Sequence, residues 1–163
     1  MRRYQDYKEI LNKFNQLLLE SFGANLISLV LFGSVARGTA KQESDIDLLI
    51  ILKGAHDSYY RRLEPVVDIE LKLRKEAFET TGATAMFSSI ILSKKEAMQN
   101  RNIFLDMLDA SIIRYDKGDF FKNRLKDLEK RLLQLGSKKV ILEDKTWYWN
   151  LKPDSAPGEV IEL

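Results

Sequence analysis

Between positions 4 and 22, Tyr7, Ile10, Leu11, Phe14, Leu17 and Leu18 recur at three- and four-residue spacing. That period predicts an amphipathic helix with one buried face. Gly23 supplies a stop. Leu26 to Phe32 is nearly all apolar, as expected of a strand covered on both faces. Gly33-Ser34 breaks it, and a short helical turn from Ser34 to about Thr39 is expected. Asp45 to Leu52 reads as a second strand, with Asp45 and Asp47 on one face and Ile46, Leu48 and Ile50 on the other. Val66 to Leu73 alternates in the same way and is read as a third strand, with Val67, Ile69, Leu71 and Leu73 on one face and Asp68, Glu70 and Lys72 on the other. Pro65 is expected to end any helical turn over Tyr59 to Leu63.

The pattern weakens over 76 to 88, read as a short helix or loop. Ile90 to Leu92 fits an edge strand. Lys94 to Leu108 fits a helix with Met98, Phe104, Leu105 and Leu108 inward, and Ile112 to Tyr115 fits a brief strand. Asp119 to Leu135 carries Phe121, Leu125, Leu128, Leu132 and Leu135 at near-heptad spacing, a second clear helix capped by Gly136. Residues 1–136 are therefore taken as one domain, and 137–163, with Trp147-Tyr148-Trp149, as an irregular tail packed on it. Strands and helices mix without strict alternation, which gives an α+β class with an α/β-like small mixed sheet flanked by helices.

Composition narrows the chemistry. The 163 residues carry 26 basic and 24 acidic side chains, a net charge of +2. No basic stripe argues for a nucleic-acid partner. There is no cysteine, which excludes disulfides, thiolate metal sites and a thiol nucleophile. The single histidine, His56, excludes a multi-histidine site. A metal would have to be held by oxygen, which favours magnesium or manganese. The N-terminus turns polar at once and no apolar run approaches the roughly 20 residues of a membrane span. A soluble, cytoplasmic protein is expected.

The informative stretch runs from Leu31 to Leu48. Gly33 permits a sharp turn and close approach to the backbone. Ser34 is a good N-cap, and a helix start attracts phosphate. Arg37 can reach the same anion with a forked guanidinium. Asp45 and Asp47 project from one strand face, roughly 6–7 Å apart along it. Carboxylates so placed can bracket two ions about 3.5–4 Å apart. Alone, a Gly-Ser is ordinarily a turn and an Asp-x-Asp a solvated strand end. Joined across strand, turn and strand, they reinforce each other.

Gly33-Ser34, ten intervening residues, then Asp45-x-Asp47 resembles the signature of the DNA polymerase beta-like nucleotidyltransferase superfamily. With Ala36-Arg37-Gly38 and Ser44-Asp45-Ile46-Asp47-Leu48, the chain resembles the minimal nucleotidyltransferases of bacteria and archaea. The resemblance implies that superfamily's mixed sheet, with a long C-terminal helix. It implies a nucleoside triphosphate, ATP being expected, with its phosphates at Gly33, Ser34 and Arg37. It implies two magnesium (or manganese) ions at Asp45 and Asp47. Val67-Asp68-Ile69-Glu70-Leu71 falls where the family places the strand bearing a third carboxylate. Asp68, as a third metal ligand that also helps deprotonate the acceptor hydroxyl, is preferred to Glu70. The expected reaction is transfer of a nucleoside monophosphate, AMP from ATP, with release of pyrophosphate.

Small members of this superfamily often sit in two-gene modules beside a helical nucleic-acid-cleaving protein. A helical partner or a homodimer is therefore expected to complete the site. The rival reading is an antitoxin-like subunit that neutralises its partner by binding alone. The three aromatics at 147–149 are either anchors of the tail or part of such an interface.

Overall fold

The computed structural model describes residues 4–82, 84–144, 146–156, 158–161 and 163; the polar start of the chain and Pro157 of the tail lie outside them. Helix α1 (Tyr4–Phe22) leads through a 3-10 turn (Gly23–Asn25) into β1 (Leu26–Phe32). Helix α2 (Gly33–Arg37) follows without a gap, then β2 (Ile46–Leu52), α3 (Tyr59–Thr81) and β3 (Phe87–Ser93). The second half runs α4 (Lys94–Ala97), α5 (Asn102–Asp109), β4 (Ile112–Asp116), α6 (Phe120–Gln134) and the strands β5 (Lys138–Ile141) and β6 (Trp147–Asn150).

The main sheet has the order β3-β2-β1-β4. β1 is antiparallel to both neighbours, and β2 is parallel to β3. Every residue of β1 is buried. One face, with Leu29, Leu31, Leu48 and Ile50, packs against Leu11, Phe14 and Leu18 of α1 and Val66, Ile69 and Leu73 of α3. The other, with Ile27, Val30, Leu49 and Ile51, packs against Phe104 and Met107 of α5 and Phe121, Leu128 and Leu132 of α6. The α+β class expected from the sequence is therefore what the chain adopts, as a mixed sheet between two helical layers.

The expected third strand over 66–73 is instead the middle of α3. Both periods fit this segment. Val66, Ile69 and Leu73 are buried at helical spacing, whereas Leu71, inward on the strand reading, is 54% exposed. Topology decides: parallel strands β2 and β3 need a crossover connection, and α3 is that crossover. Pro65 lies inside the helix rather than ending it. The burial of Val66 and Ile69 outweighs its one missing hydrogen bond. Within 76–88, α3 runs to Thr81 and β3 starts at Phe87.

Other differences are local. The helix expected over 94–108 is two, α4 and α5, and Met98 between them is 53% exposed rather than inward. Within the tail, β5 and β6 pair as an antiparallel hairpin, with Lys139 opposite Trp149 and Ile141 opposite Trp147. Trp149 packs on the α5–α6 core, and Lys139 lies over the Trp147 ring at 4.3 Å. Trp149 thus holds the hairpin to the body, and Trp147 is covered by Lys139 within the hairpin.

Two polar contacts tie the layers together. The buried Ser28 hydroxyl donates to Asp116 Oδ1 at 2.7 Å. Asp116 also accepts from the backbone N–H groups of Phe121 and Lys122, both at 3.0 Å, and so caps α6. Glu96 closes a capping box with Ser93 and accepts from Arg62 Nη1 at 2.6 Å, joining α4 to α3. The Ser93 backbone N–H, followed by the Ser93 and Arg62 side chains, holds the Glu96 carboxyl down at about 2.

Replacing Asp116 with Ala leaves Ser28 without a partner and α6 without a cap. Urea unfolding should show a loss of about 1–3 kcal/mol. Glu96 supplies the acid limb. Its folded value lies below the unfolded one, so its contribution is present above about pH 4.5 and is lost as pH falls toward 2. Glu96→Gln should be less stable than the parent at pH 7, with the difference shrinking over that window in pH-resolved thermal melts.

Candidate active site

The β1–β2 ladder brings the motif together. Phe32 is the register partner of Asp47, so the chain leaves β1 at the point where the Asp-x-Asp segment enters β2. Asp45 lies just before β2. The turn ahead of it is closed by the Lys41 N–H donating to Ser44 Oγ at 2.9 Å, and the Ile46 N–H then donates to the Met86 carbonyl at 2.8 Å.

Gly33 has φ +71° and is buried. A Cβ built on it would lie 2.0 Å from Asp47 Oδ2, so the Asp47 carboxylate occupies the space a side chain would need. Helix α2 begins at Gly33, with Phe32 in the cap position. Ser34 is therefore the second residue of the helix and not its N-cap, which corrects the expected cap geometry. Gly38, left-handed at φ +71°, ends the helix, and the Thr39 N–H donates to the Ser34 carbonyl at 2.9 Å. Arg37 and Asp45 are exposed and Asp47 is half-buried.

These groups interact electrically. Partial burial pushes the Asp47 carboxyl above its ordinary value, and the Asp45 charge pushes the same way. A hydrogen bond with the Ser88 side chain and the Arg37 guanidinium act in the opposite direction. Asp45, Asp47, Arg37 and Gly33 are thus one cluster, joined by a residue that sequence reasoning did not select. Ser88 stands on β3 directly opposite Asp47 in the parallel ladder.

Asp68 is not brought to this cluster. It is exposed on α3, in a shallow depression with Leu17, Glu20, Ser21 and Lys72. Glu70 is likewise on α3, where it accepts from Ser89 Oγ at 2.6 Å, and burial raises its carboxyl. Among the described residues no group of three or more Asp, Glu or His side chains is assembled to hold a metal. The third carboxylate was assigned to a strand, and the segment is a helix.

The remaining candidates are structural. His56 is exposed in a loop, and its Nδ1 accepts from the Ser58 N–H at 3.0 Å. Arg62 is buried against Glu96 and the carbonyls of His56 and Asp57. A cavity of about 190 Å³ lies between α1, α3 and the loop ahead of Asp45, lined by Tyr7, Lys13, Ser44, Glu76 and Met86. None of Gly33, Ser34, Arg37, Asp45 or Asp47 lines it.

Gly33 and Gly38 share the same φ, but only Gly33 abuts another side chain. Alanine at either position should cost about 1–2 kcal/mol of backbone strain. Gly33→Ala alone should also displace Asp47, seen as a shift of its carboxylate resonance in a 13C spectrum.

The chain is similar to proteins whose chemistry is named. A family model described as a nucleotidyltransferase domain matches residues 8–81. A protein of Methanocaldococcus jannaschii named "Putative protein adenylyltransferase MJ1305" is 34% identical over 143 residues, covering 85% of this chain and 90% of the relative. The crystal structure of spectinomycin adenyltransferase AAD(9) from Enterococcus faecialis, with ATP and spectinomycin, has the same fold at TM-score 0.55 and 13% identity, covering 78% of this chain and 66% of that one. A toxin-antitoxin MntA-HpeT crystal structure is a more distant likeness, at TM-score 0.46 and 13% identity, covering 76% and 87%. With the motif residues gathered where β1 meets β2, and a relative matched over most of both lengths, the chain belongs to the nucleotidyltransferase-domain family and is a nucleotidyltransferase.

Proposed function

We propose that this protein transfers AMP from ATP to a hydroxyl group on a partner protein, with magnesium or manganese held by Asp45 and Asp47. The observation that carries this reading is the meeting of Asp45, Asp47, Arg37 and Gly33 at one end of the β1–β2 pair. The name of the M. jannaschii relative supports adenylyl transfer and a protein acceptor.

The residues present fit a hard divalent cation. Partial burial and the neighbouring Asp45 charge make the Asp47 carboxylate costly to ionise, and both groups offer only oxygen. Such ions supply neutralisation of the charge on the triphosphate and on the departing pyrophosphate. Gly33, lacking a side chain, lets the Asp47 carboxylate lie against the backbone, and Ser34 and Arg37 would take phosphate oxygens, Arg37 through its fork. The acceptor hydroxyl gives its proton to water, and its oxygen forms a bond to the α-phosphorus as the bond to pyrophosphate breaks. Catalysis is then positioning and charge stabilisation more than covalent chemistry of the protein.

The acceptor is expected to arrive on a second protein, the helical member of a two-gene module, rather than on nucleic acid, for which the balanced charge gives no footing. Among the described residues no helix is long and apolar enough to cross a membrane.

Intact mass measurement after incubation with ATP, magnesium and the neighbouring gene product tests the reading. The partner should gain one or more AMP units. Asp45→Asn with Asp47→Asn should lower transfer at least about a hundredfold. The metal-free double variant should be as stable as the parent or slightly more so, because two like charges are removed. Equal transfer by the double variant, or label on RNA or a small molecule alone, would overturn the proposal.

A further inference from the structure

The site is built from two carboxylates, yet a third side chain stands beside them. In the parallel β2–β3 ladder, Asp47 is opposite Ser88, and Leu48 is opposite Ser89. Register partners in a sheet share a face. Ser88 therefore lies on the Asp47 side, while Ser89 lies on the side of α3, where its hydroxyl donates to Glu70. Ser88 is exposed, so its hydroxyl is accessible from the open end of the site. As the register partner of Asp47 it stands beside that carboxylate, and it eases the cost of its charge. No third carboxylate is gathered there among the described residues.

We propose that Ser88 is the third position of the ion site, filled by a neutral hydroxyl that fixes the orientation of the Asp47 carboxylate. The inference rests on Asp45 and Asp47 being the metal-holding pair. A hydroxyl adds no negative charge, so the site carries two charges where a carboxylate at this position would make three. Affinity of oxygen sites for divalent cations rises with ligand charge. The bare protein is therefore a weak ion site, and the triphosphate brings the charge that completes it. Metal and nucleotide load together. Ser88 is a positioning residue: it acts on the ion through Asp47 and need not touch the reacting atoms.

Manganese binding, read from the free-ion signal in electron paramagnetic resonance, separates the possibilities. It needs no turnover and is run with and without a non-hydrolysable ATP analogue. The parent should bind manganese weakly alone and at least tenfold more tightly with the analogue. Ser88→Asp should tighten nucleotide-free binding at least tenfold and shrink the benefit of the analogue. Ser88→Ala should weaken manganese binding in the presence of the analogue severalfold, and Ser88→Thr, which keeps the hydroxyl, should restore it. A merely structural serine would move melting temperature and leave these affinities alone. Ser88→Ala binding like the parent, or a folded Ser88→Asp with no gain, overturns the inference. Loss of binding in Asp45→Asn with Asp47→Asn is the control. If that double variant binds as the parent does, the pair itself is misassigned, a failure distinct from that of Ser88.

Discussion

The structure depends on β1 being buried along its whole length. A strand with no exposed face cannot carry polar side chains in its middle without partners. The single polar residue in β1, Ser28, meets this condition through Asp116, which in turn starts α6. β1 therefore holds no charged side chain, and β2 holds one only near its start, Asp47. The Gly33–Arg37 turn and the Asp45–Asp47 segment lie where these two central strands meet their ends, outside the interior that excludes charge. The helical layers on the two faces exist to keep β1 and β2 dry.

At that end the site is compact because one residue lacks a side chain. Asp47 fills the volume over Gly33, so its carboxylate is held against backbone and shielded from part of the solvent. The same placement makes its charge costly, and Asp45 adds to the cost. Arg37 and Ser88 offset some of it. The negative charge left incompletely compensated there is what the proposed cation and triphosphate would complete together.

The sequence is most legible where a single period operates. Helix α1, β1 and α6 follow from unambiguous apolar spacing, and each lies within a residue or two of expectation. The Gly33-Ser34 to Asp45-x-Asp47 motif is legible because residue type and spacing both constrain it. Residues 66–73 are not, because Val66, Ile69 and Leu73 satisfy a helix while Val67, Ile69, Leu71 and Leu73 satisfy a strand. Only the need for a crossover between parallel strands separates the two, and that is a property of the whole sheet. Asp68 was misplaced with its segment. Ser88 gave no local signal, since its role comes from a register partner some forty residues earlier, at Asp47. The 138–150 hairpin lacks a two-residue turn signature, and its alternation is carried by only four residues in each strand.

The pairing of β1 with β4 joins residues 88 positions apart, as in Ser28 and Asp116. During synthesis the first ninety or so residues contain α1, β1, β2, α3 and β3, enough to cover one side of the sheet. The other side, with Ile27, Val30, Leu49 and Ile51, has no cover until α5 and α6 have been made, as far as Leu132. At translation rates of about 5–20 residues per second, that interval lasts about 2–8 s. For those seconds the nascent chain presents a flat, β-branched, uncharged surface beside the unpaired edge of β1, the kind of surface that chaperones bind and neighbouring chains join. The strand most deeply enclosed in the finished protein is thus the one most in need of protection on the ribosome.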